Sequence, residues 1–187
     1  DFLNHEALIE LPKILTKFKI KNYILIGHSD GASIALIYAS KYSSEGLLGI
    51  ISEAPHVFCE PITILSIKKI KKLYKNKNLR ERLKKHHGEN VDCAFKGWSD
   101  VWLDPKFSSW NIEPCLPKIS VPQLILQGYN DEYGSKKQIE VIIKKSSNTV
   151  ETFFLKNCGH SPHIDQEKKT IRIMHPFISK LINQKNQ

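Results

Sequence analysis

The order of apolar and polar positions along the chain predicts short strands that alternate with helices. Four apolar runs of strand length are predicted as buried strands, at residues 23–26, 47–52, 122–127 and 150–155. Segments whose apolar residues recur every three or four positions are predicted as helices, at residues 2–18, 32–42, 135–145 and 164–182. Pro12 is expected to kink the first of these helices. The alternation predicts an α/β fold with a mostly parallel sheet flanked by helices.

The middle of the chain departs from this alternation. It contains all three tryptophans, a run of lysines between Lys68 and Lys77, and three segments of helical spacing at 61–74, 79–87 and 91–102. We interpret residues 56–117 as a helical cap inserted into a core made of residues 1–55 and 118–187. The lysine run is interpreted as a solvated face of this cap.

A sequence motif for nucleophilic catalysis lies directly after the first predicted strand. Residues 27–31 read G-H-S-D-G, which matches G-x-S-x-G, and a helix of small residues is predicted to follow. A sharp strand-to-helix turn is expected to require minimal side chains at Gly27 and Gly31 and to expose the hydroxyl of Ser29 at its tip. The context therefore predicts a nucleophile elbow.

A serine hydroxyl needs a base and an orienting acid to become a good nucleophile. His160 lies in the loop after the last predicted strand, and Asp131 lies in the loop after the preceding strand. Parallel sheets bind ligands at the carboxyl ends of their strands, which is where all three residues fall. We predict a catalytic triad of Ser29 as nucleophile, His160 as base and Asp131 as acid.

Alternatives remain open for the base and the acid. His163 is the nearest rival base, although it is expected to be a polar surface residue at the start of the last helix. Glu132 and Glu53 are rival acids, because the first adjoins Asp131 and the second follows another strand. His28 is expected to pack beneath the serine or to line the pocket.

These motifs, G-H-S-D-G, G-Y-N-D and N-C-G-H-S-P-H, resemble those of the α/β-hydrolase superfamily, which shares the chain order Ser, Asp, His. Residues 53–58 and 102–112 are also similar to a bacterial subgroup of single-domain hydrolases with a helical cap. The resemblance implies that the backbone N–H of Asp30 is one oxyanion donor. It also implies about four further strands on the N-terminal side, with the second donor, and hence a truncated chain whose first strand is an open edge.

The resemblance implies hydrolysis of a carboxylic ester, thioester or amide of a small molecule through an acyl-enzyme. A carbon–carbon bond hydrolase or lyase of the same fold, and a catalytically inactive fragment, are the alternatives. Trp98 and Trp102 are candidates for substrate binding, with plain packing of the cap as the competing interpretation. The serine at the elbow argues against haloalkane dehalogenase and soluble epoxide hydrolase activity.

Composition narrows the remaining possibilities. The chain has 187 residues and a net charge of +9, and no recognised nucleic-acid module accompanies this charge. No apolar run approaches the roughly 18 residues needed to cross a bilayer. Its four cysteines are isolated, which favours reduced thiols and a cytoplasmic protein, and Cys158 beside the histidine loop is the candidate for reactivity. We expect no cofactor, no metal, no nucleic-acid partner and no membrane partner.

Overall fold

A computed structural model describes residues 2–43, 46–75 and 78–185 of the protein. The chain divides into two compact units. The sheet unit extends to Val57 and resumes at Ile112, and the helical unit is Phe58–Asn111. Lys77, the last residue of the predicted lysine run, lies outside the described residues.

The sheet unit contains a parallel sheet whose strands lie in chain order. Its strands are β1 (Tyr23–His28), β2 (Leu47–Glu53), β3 (Gln123–Gly128) and β4 (Val150–Leu155). The register pairs His28 with Glu53 and Gly128 with Leu155, so the carboxyl ends of neighbouring strands share one edge of the sheet. All four predicted strands and the parallel arrangement are confirmed.

The helices of this unit connect and flank the strands. They are α1 (Phe2–His5), α2 (Leu11–Lys17), α3 (Asp30–Tyr42), α7 (Lys136–Lys145), α8 (Pro162–Asp165) and α9 (Glu167–Lys185). The predicted kink at Pro12 takes the form of a π-helical turn, Glu6–Glu10, between α1 and α2. There the N–H of Leu11 donates to the carbonyl of Glu6 five residues back, because a proline ring conflicts with normal helical bonding around it.

The predicted last helix is divided in two. Gln166, between α8 and α9, leaves the helical conformation with φ of −138°. Its side-chain amide instead donates to the carbonyls of Lys156 and Asn157 in the loop after β4. The break therefore attaches the start of α9 to the loop that carries the predicted catalytic histidine.

The hydrophobic core fixes the middle of the sheet. Every residue of β3 is buried, and so is nearly every residue of β2. Ile51 and Leu124 pack against Phe177 and Leu181 of α9, which covers this face. By contrast, β1 pairs only with β2 among the described strands, and its Ile26 is 55% exposed.

The helical unit has its own small core. Its helices are α4 (Pro61–Tyr74), α5 (Asn78–His87) and α6 (Val91–Leu103), which confirms the three predictions to within one residue at each end. Tyr74 stacks on Phe95, and its hydroxyl donates to Asp92, which also pairs with Arg80. This contact of α4, α5 and α6 explains why the three short helices pack together.

Candidate active site

The turn between β1 and α3 holds Ser29 in a strained conformation. Its φ of 54° and ψ of −119° lie outside the regions that L-residues ordinarily occupy. A Cβ at Gly27 would lie 2.3 Å from the carbonyl oxygen of Gly31, so this position requires glycine. A Cβ at Gly31 would meet no described atom within 4 Å. The expected steric need for glycine thus holds at Gly27 and is wrong at Gly31.

Three side chains from three loops form a continuous hydrogen-bonded chain. Nε2 of His160 lies 2.9 Å from Oγ of Ser29, and Nδ1 lies 2.9 Å and 3.0 Å from the two oxygens of Asp131. A carboxylate can only accept, so Nδ1 carries the proton and donates. In the neutral ring Nε2 is then the acceptor for the hydroxyl of Ser29. The arrangement can therefore deprotonate the serine as it attacks an electrophile.

Asp131 is buried and bonded on both of its oxygens. Besides His160, it accepts from Gln127 Nε2 at 2.7 Å and from the backbone N–H groups of Tyr133 and Gly134 at 2.8 Å and 3.2 Å. Burial alone raises the pKa of Asp131, but the hydrogen bond and charge of His160, with the two N–H groups, outweigh burial and hold the pKa below its ordinary value. Asp131 therefore stays a carboxylate that can stabilise an imidazolium.

A second glycine brings the acid and histidine loops together. A Cβ at Gly128, the last residue of β3, would lie 2.0 Å from the carbonyl oxygen of Gly159 and 2.4 Å from that of Cys158. The N–H of Asn130 also donates to the carbonyl of Cys158 at 2.9 Å. The loops that carry Asp131 and His160 can approach this closely because position 128 has no side chain.

Other rings surround the imidazole of His160. The centroids of His28, His56 and Tyr133 lie 5.0 Å, 5.6 Å and 4.7 Å from it. Nε2 of His28 donates to the backbone carbonyl of His160 at 2.8 Å, and burial lowers the pKa of His28. Burial also lowers the pKa of His56 to about 3, helped by the charge of His160. Both neighbours are thus disfavoured as cations.

The rival acid Glu53 bonds the rival base His163 and does not bond His160. Its Oε2 accepts from the backbone N–H and from Nδ1 of His163, at 2.9 Å and 3.0 Å. The expectation that His163 is a polar surface residue at the start of the last helix is confirmed, since it lies in α8 and its side chain is 44% exposed. Its bond to the buried side chain of Glu53 was not predicted. The other rival acid, Glu132, lies near Gly159: a Cβ added to Gly159 would lie 3.2 Å from Oε2 of Glu132.

The other predicted residues fall in different places. Asp30 is the first residue of α3, where the helix dipole favours negative charge. Trp102 is buried within the helical unit against Phe107 and Trp110, and Trp98 packs edge-on to Phe95. A role for either tryptophan in substrate binding stays a prediction.

Cys158 does not have the environment of a reactive thiol. It is 1% exposed, and burial together with the nearby carboxylates raises its pKa to about 11. Within residues 2–43, 46–75 and 78–185, no group of three or more His, Cys, Asp or Glu could hold a metal ion. No helix in these same ranges combines the length and the hydrophobicity that crossing a bilayer requires.

Three residues support the triad: Gln127 and Asp165 had no distinct signal in the sequence, whereas Gly128 begins the G-Y-N-D motif. Gln127 orients Asp131, and Gly128 allows the close approach of the two loops. Asp165 accepts from the N–H of Gly159 at 2.8 Å and so closes the histidine loop. Gln127 directly precedes this motif and Asp165 follows the histidine loop, and only the folded loops show what these two side chains contact.

The comparisons with known proteins point to one fold. No protein-family model matches the chain. It is 28% identical over 80 residues to monoacylglycerol lipase ABHD6 of Mus musculus, and this match covers 43% of the chain and 24% of that protein. The chain therefore spans about a quarter of the curated relative that it matches.

Two solved structures extend the likeness over nearly the whole chain. The crystal structure of a bacterial membrane phospholipase A superposes with a TM-score of 0.73 at 21% identity, covering 97% of this chain and 64% of that one. MGS-M2, an α/β-hydrolase enzyme from a Medee basin deep-sea metagenome, superposes with a TM-score of 0.69 at 19% identity, covering 91% of this chain and 70% of that one. Together with the parallel sheet and the strained turn at Ser29, these likenesses identify the chain as one with the α/β-hydrolase fold.

Proposed function

We propose that the protein is a serine hydrolase that cleaves a carboxylic ester, thioester or amide of a small molecule. The observation that carries this proposal is the chain of hydrogen bonds from Ser29 Oγ through His160 to Asp131. The names of two similar proteins, a monoacylglycerol lipase and a membrane phospholipase A, support ester chemistry. A cytoplasmic location remains part of the proposal.

The proposed reaction proceeds in two steps through an acyl-enzyme. Ser29 attacks the substrate carbonyl while Nε2 of His160 removes its proton, and Asp131 stabilises the imidazolium that forms. His160 then gives this proton to the leaving group, which departs and leaves an ester on Ser29. Water, deprotonated by the same Nε2, attacks this ester; the Ser29 oxygen then departs, takes the proton back from Nε2, and the acid is released.

The start of α3 is proposed to stabilise the oxyanion. The backbone N–H of Asp30 follows the nucleophile directly, which is the position that donates to the oxyanion in this fold. The positive end of the helix dipole at α3 favours the same negative charge. Removing one such donor typically costs about 10²–10³ in rate.

The test is labelling of the purified full-length protein with a fluorophosphonate probe, together with turnover of p-nitrophenyl acetate. We expect Ser29→Ala to abolish both, while the exposed Ser108→Ala leaves both at the wild-type level. Wild-type protein that is folded but neither labels nor turns over would refute the proposal in favour of an inactive chain. Labelling without ester turnover would direct attention to carbon–carbon bond substrates.

A further inference from the structure

Beside the proposed triad lies a second carboxylate–imidazole pair. Glu53 ends β2, and its side chain is only 5% exposed. One of its oxygens, Oε2, accepts two hydrogen bonds from His163, at 2.9 Å from the backbone N–H and 3.0 Å from Nδ1. Burying a carboxylate is costly unless it is paired and hydrogen-bonded. The two hydrogen bonds from His163 therefore offset part of the cost of burying this side chain.

The same glutamate also contacts the nucleophile turn. Its backbone carbonyl accepts from the N–H of Ser29 at 2.9 Å, so Glu53 touches the serine loop with its backbone and the histidine loop with its side chain. The next residue, Ala54, has φ of 48°, a left-handed conformation that costs an L-residue free energy. The chain thus turns sharply and at a cost directly after Glu53, as is common near functional sites.

The segment from His160 to His163 is short and stiff. Pro162 restricts it, and the carbonyl of Ser161 accepts from the N–H of Ile164 at 2.9 Å. A bond that fixes His163 therefore also limits where His160 can lie. His28 constrains His160 from the other side, through its bond to the His160 carbonyl and its ring 4.8 Å from that of His163.

We propose that Glu53 and His163 form a positioning pair, which holds Nε2 of His160 at bonding distance from Ser29 Oγ. This inference rests on the proposed hydrolase function. Both residues act through their neighbours, since neither side chain bonds Ser29 Oγ or the imidazole of His160. A displacement of about 1 Å at a reacting group can cost about 100-fold in rate, so breaking the pair should be visible in turnover.

The experiment uses Glu53→Ala and His163→Leu in the full-length protein, with the exposed Glu140→Ala and His175→Ala as matched controls. We expect kcat per titrated active site to fall about 10–100-fold in both variants, with KM changed less than twofold and the controls unaffected. The fluorophosphonate inactivation rate should fall in parallel. A merely structural role would instead lower the titrated fraction and the Tm, and leave kcat per active site unchanged, which would overturn the inference.

Conservative variants provide the rescue. His163→Asn keeps an amide N–H near the position of Nδ1, so it should recover most of the kcat that His163→Leu loses. The double variant of Glu53→Ala with His163→Leu should be no slower than the worse single variant, because Glu53→Ala already removes the side-chain bond that His163→Leu breaks. If the kcat losses of the two single variants add in the double variant, or if His163→Asn recovers no activity, the inference of a positioning pair is overturned. His163→Leu keeps the test valid if Glu53→Ala does not fold.

A different readout separates this inference from the proposed function. If wild-type protein neither labels nor turns over, the hydrolase proposal fails by itself. The pair is then judged by the imidazole proton resonance of His160, assigned by its absence in His160→Ala. Loss or exchange broadening of this resonance in His163→Leu supports the pair, and an unchanged resonance refutes it.

Discussion

Replacing Gly128 by alanine should damage both stability and catalysis, although the change adds one methyl group. The position is the last residue of β3 and faces the backbone of the histidine loop. The new Cβ would lie 2.0 Å from the carbonyl oxygen of Gly159, where ordinary contact begins at 3.4 Å. The two nearest atoms, the carbonyl oxygens of Gly159 and Cys158, belong to the backbone. No side-chain rotation can therefore relieve the clash.

The size of the effect follows from this geometry. The histidine loop would have to withdraw by about 1.4 Å, judging from the 2.0 Å and 3.4 Å separations. Overpacking of this kind costs about 1–3 kcal/mol, which for a chain of this size lowers Tm by roughly 4–8 °C at the middle of that range. Because His160 follows Gly159 directly, its bonds to Asp131 and Ser29 should lengthen, and kcat should fall about 100-fold.

The matched control is Gly97→Ala, within α6 of the helical unit. A Cβ there would meet no described atom within 4 Å, so the helix should gain about 0.5–1 kcal/mol. Thermal unfolding and active-site titration of both variants test the reasoning. If Gly128→Ala keeps wild-type Tm and turnover, the two loops do not approach each other as described, and the steric argument fails.

Three further predictions concern acid, pH and thiol chemistry. Asp131→Asn should reduce kcat by about 10⁴ with little change in KM, measured with p-nitrophenyl acetate, since the amide favours the wrong tautomer of His160; a loss under tenfold would contradict this role. Burial lowers the pKa of His56 to about 3 from its ordinary 6.5, so between these pH values the unfolded chain binds a proton that the folded protein does not. This group should therefore lower the free energy of unfolding by up to about 1.4 kcal/mol for each pH unit of acidification. Denaturant titrations repeated at several pH values should show that the free energy of unfolding of His56→Gln depends less steeply on pH than that of the wild type. Iodoacetamide should modify the exposed Cys93 first and the buried Cys158 last, as followed by mass spectrometry of native protein; early modification of Cys158 would refute its protected state.

The sequence determined the order of the elements and the identity of the chemical groups. Apolar runs bounded by glycine or proline have the period of strands, and a strand followed by G-H-S-D-G and small residues has few stable outcomes besides a sharp turn into a helix. These are local signals, since they depend on residues within about ten positions of one another. For this reason the strands, α3 and the three residues Ser29, Asp131 and His160 could all be named in advance.

Only the tertiary structure decided which partner each group has. Glu53 and Asp131 both follow strands, and His160 and His163 are three residues apart, so spacing alone cannot pair them. Register and loop geometry assign Asp131 to His160 and Glu53 to His163. Likewise Gly27 and Gly31 are equal in the motif, but only Gly27 faces backbone across the turn. Such pairings depend on atoms distant along the chain, and these meet only when the whole sheet has formed.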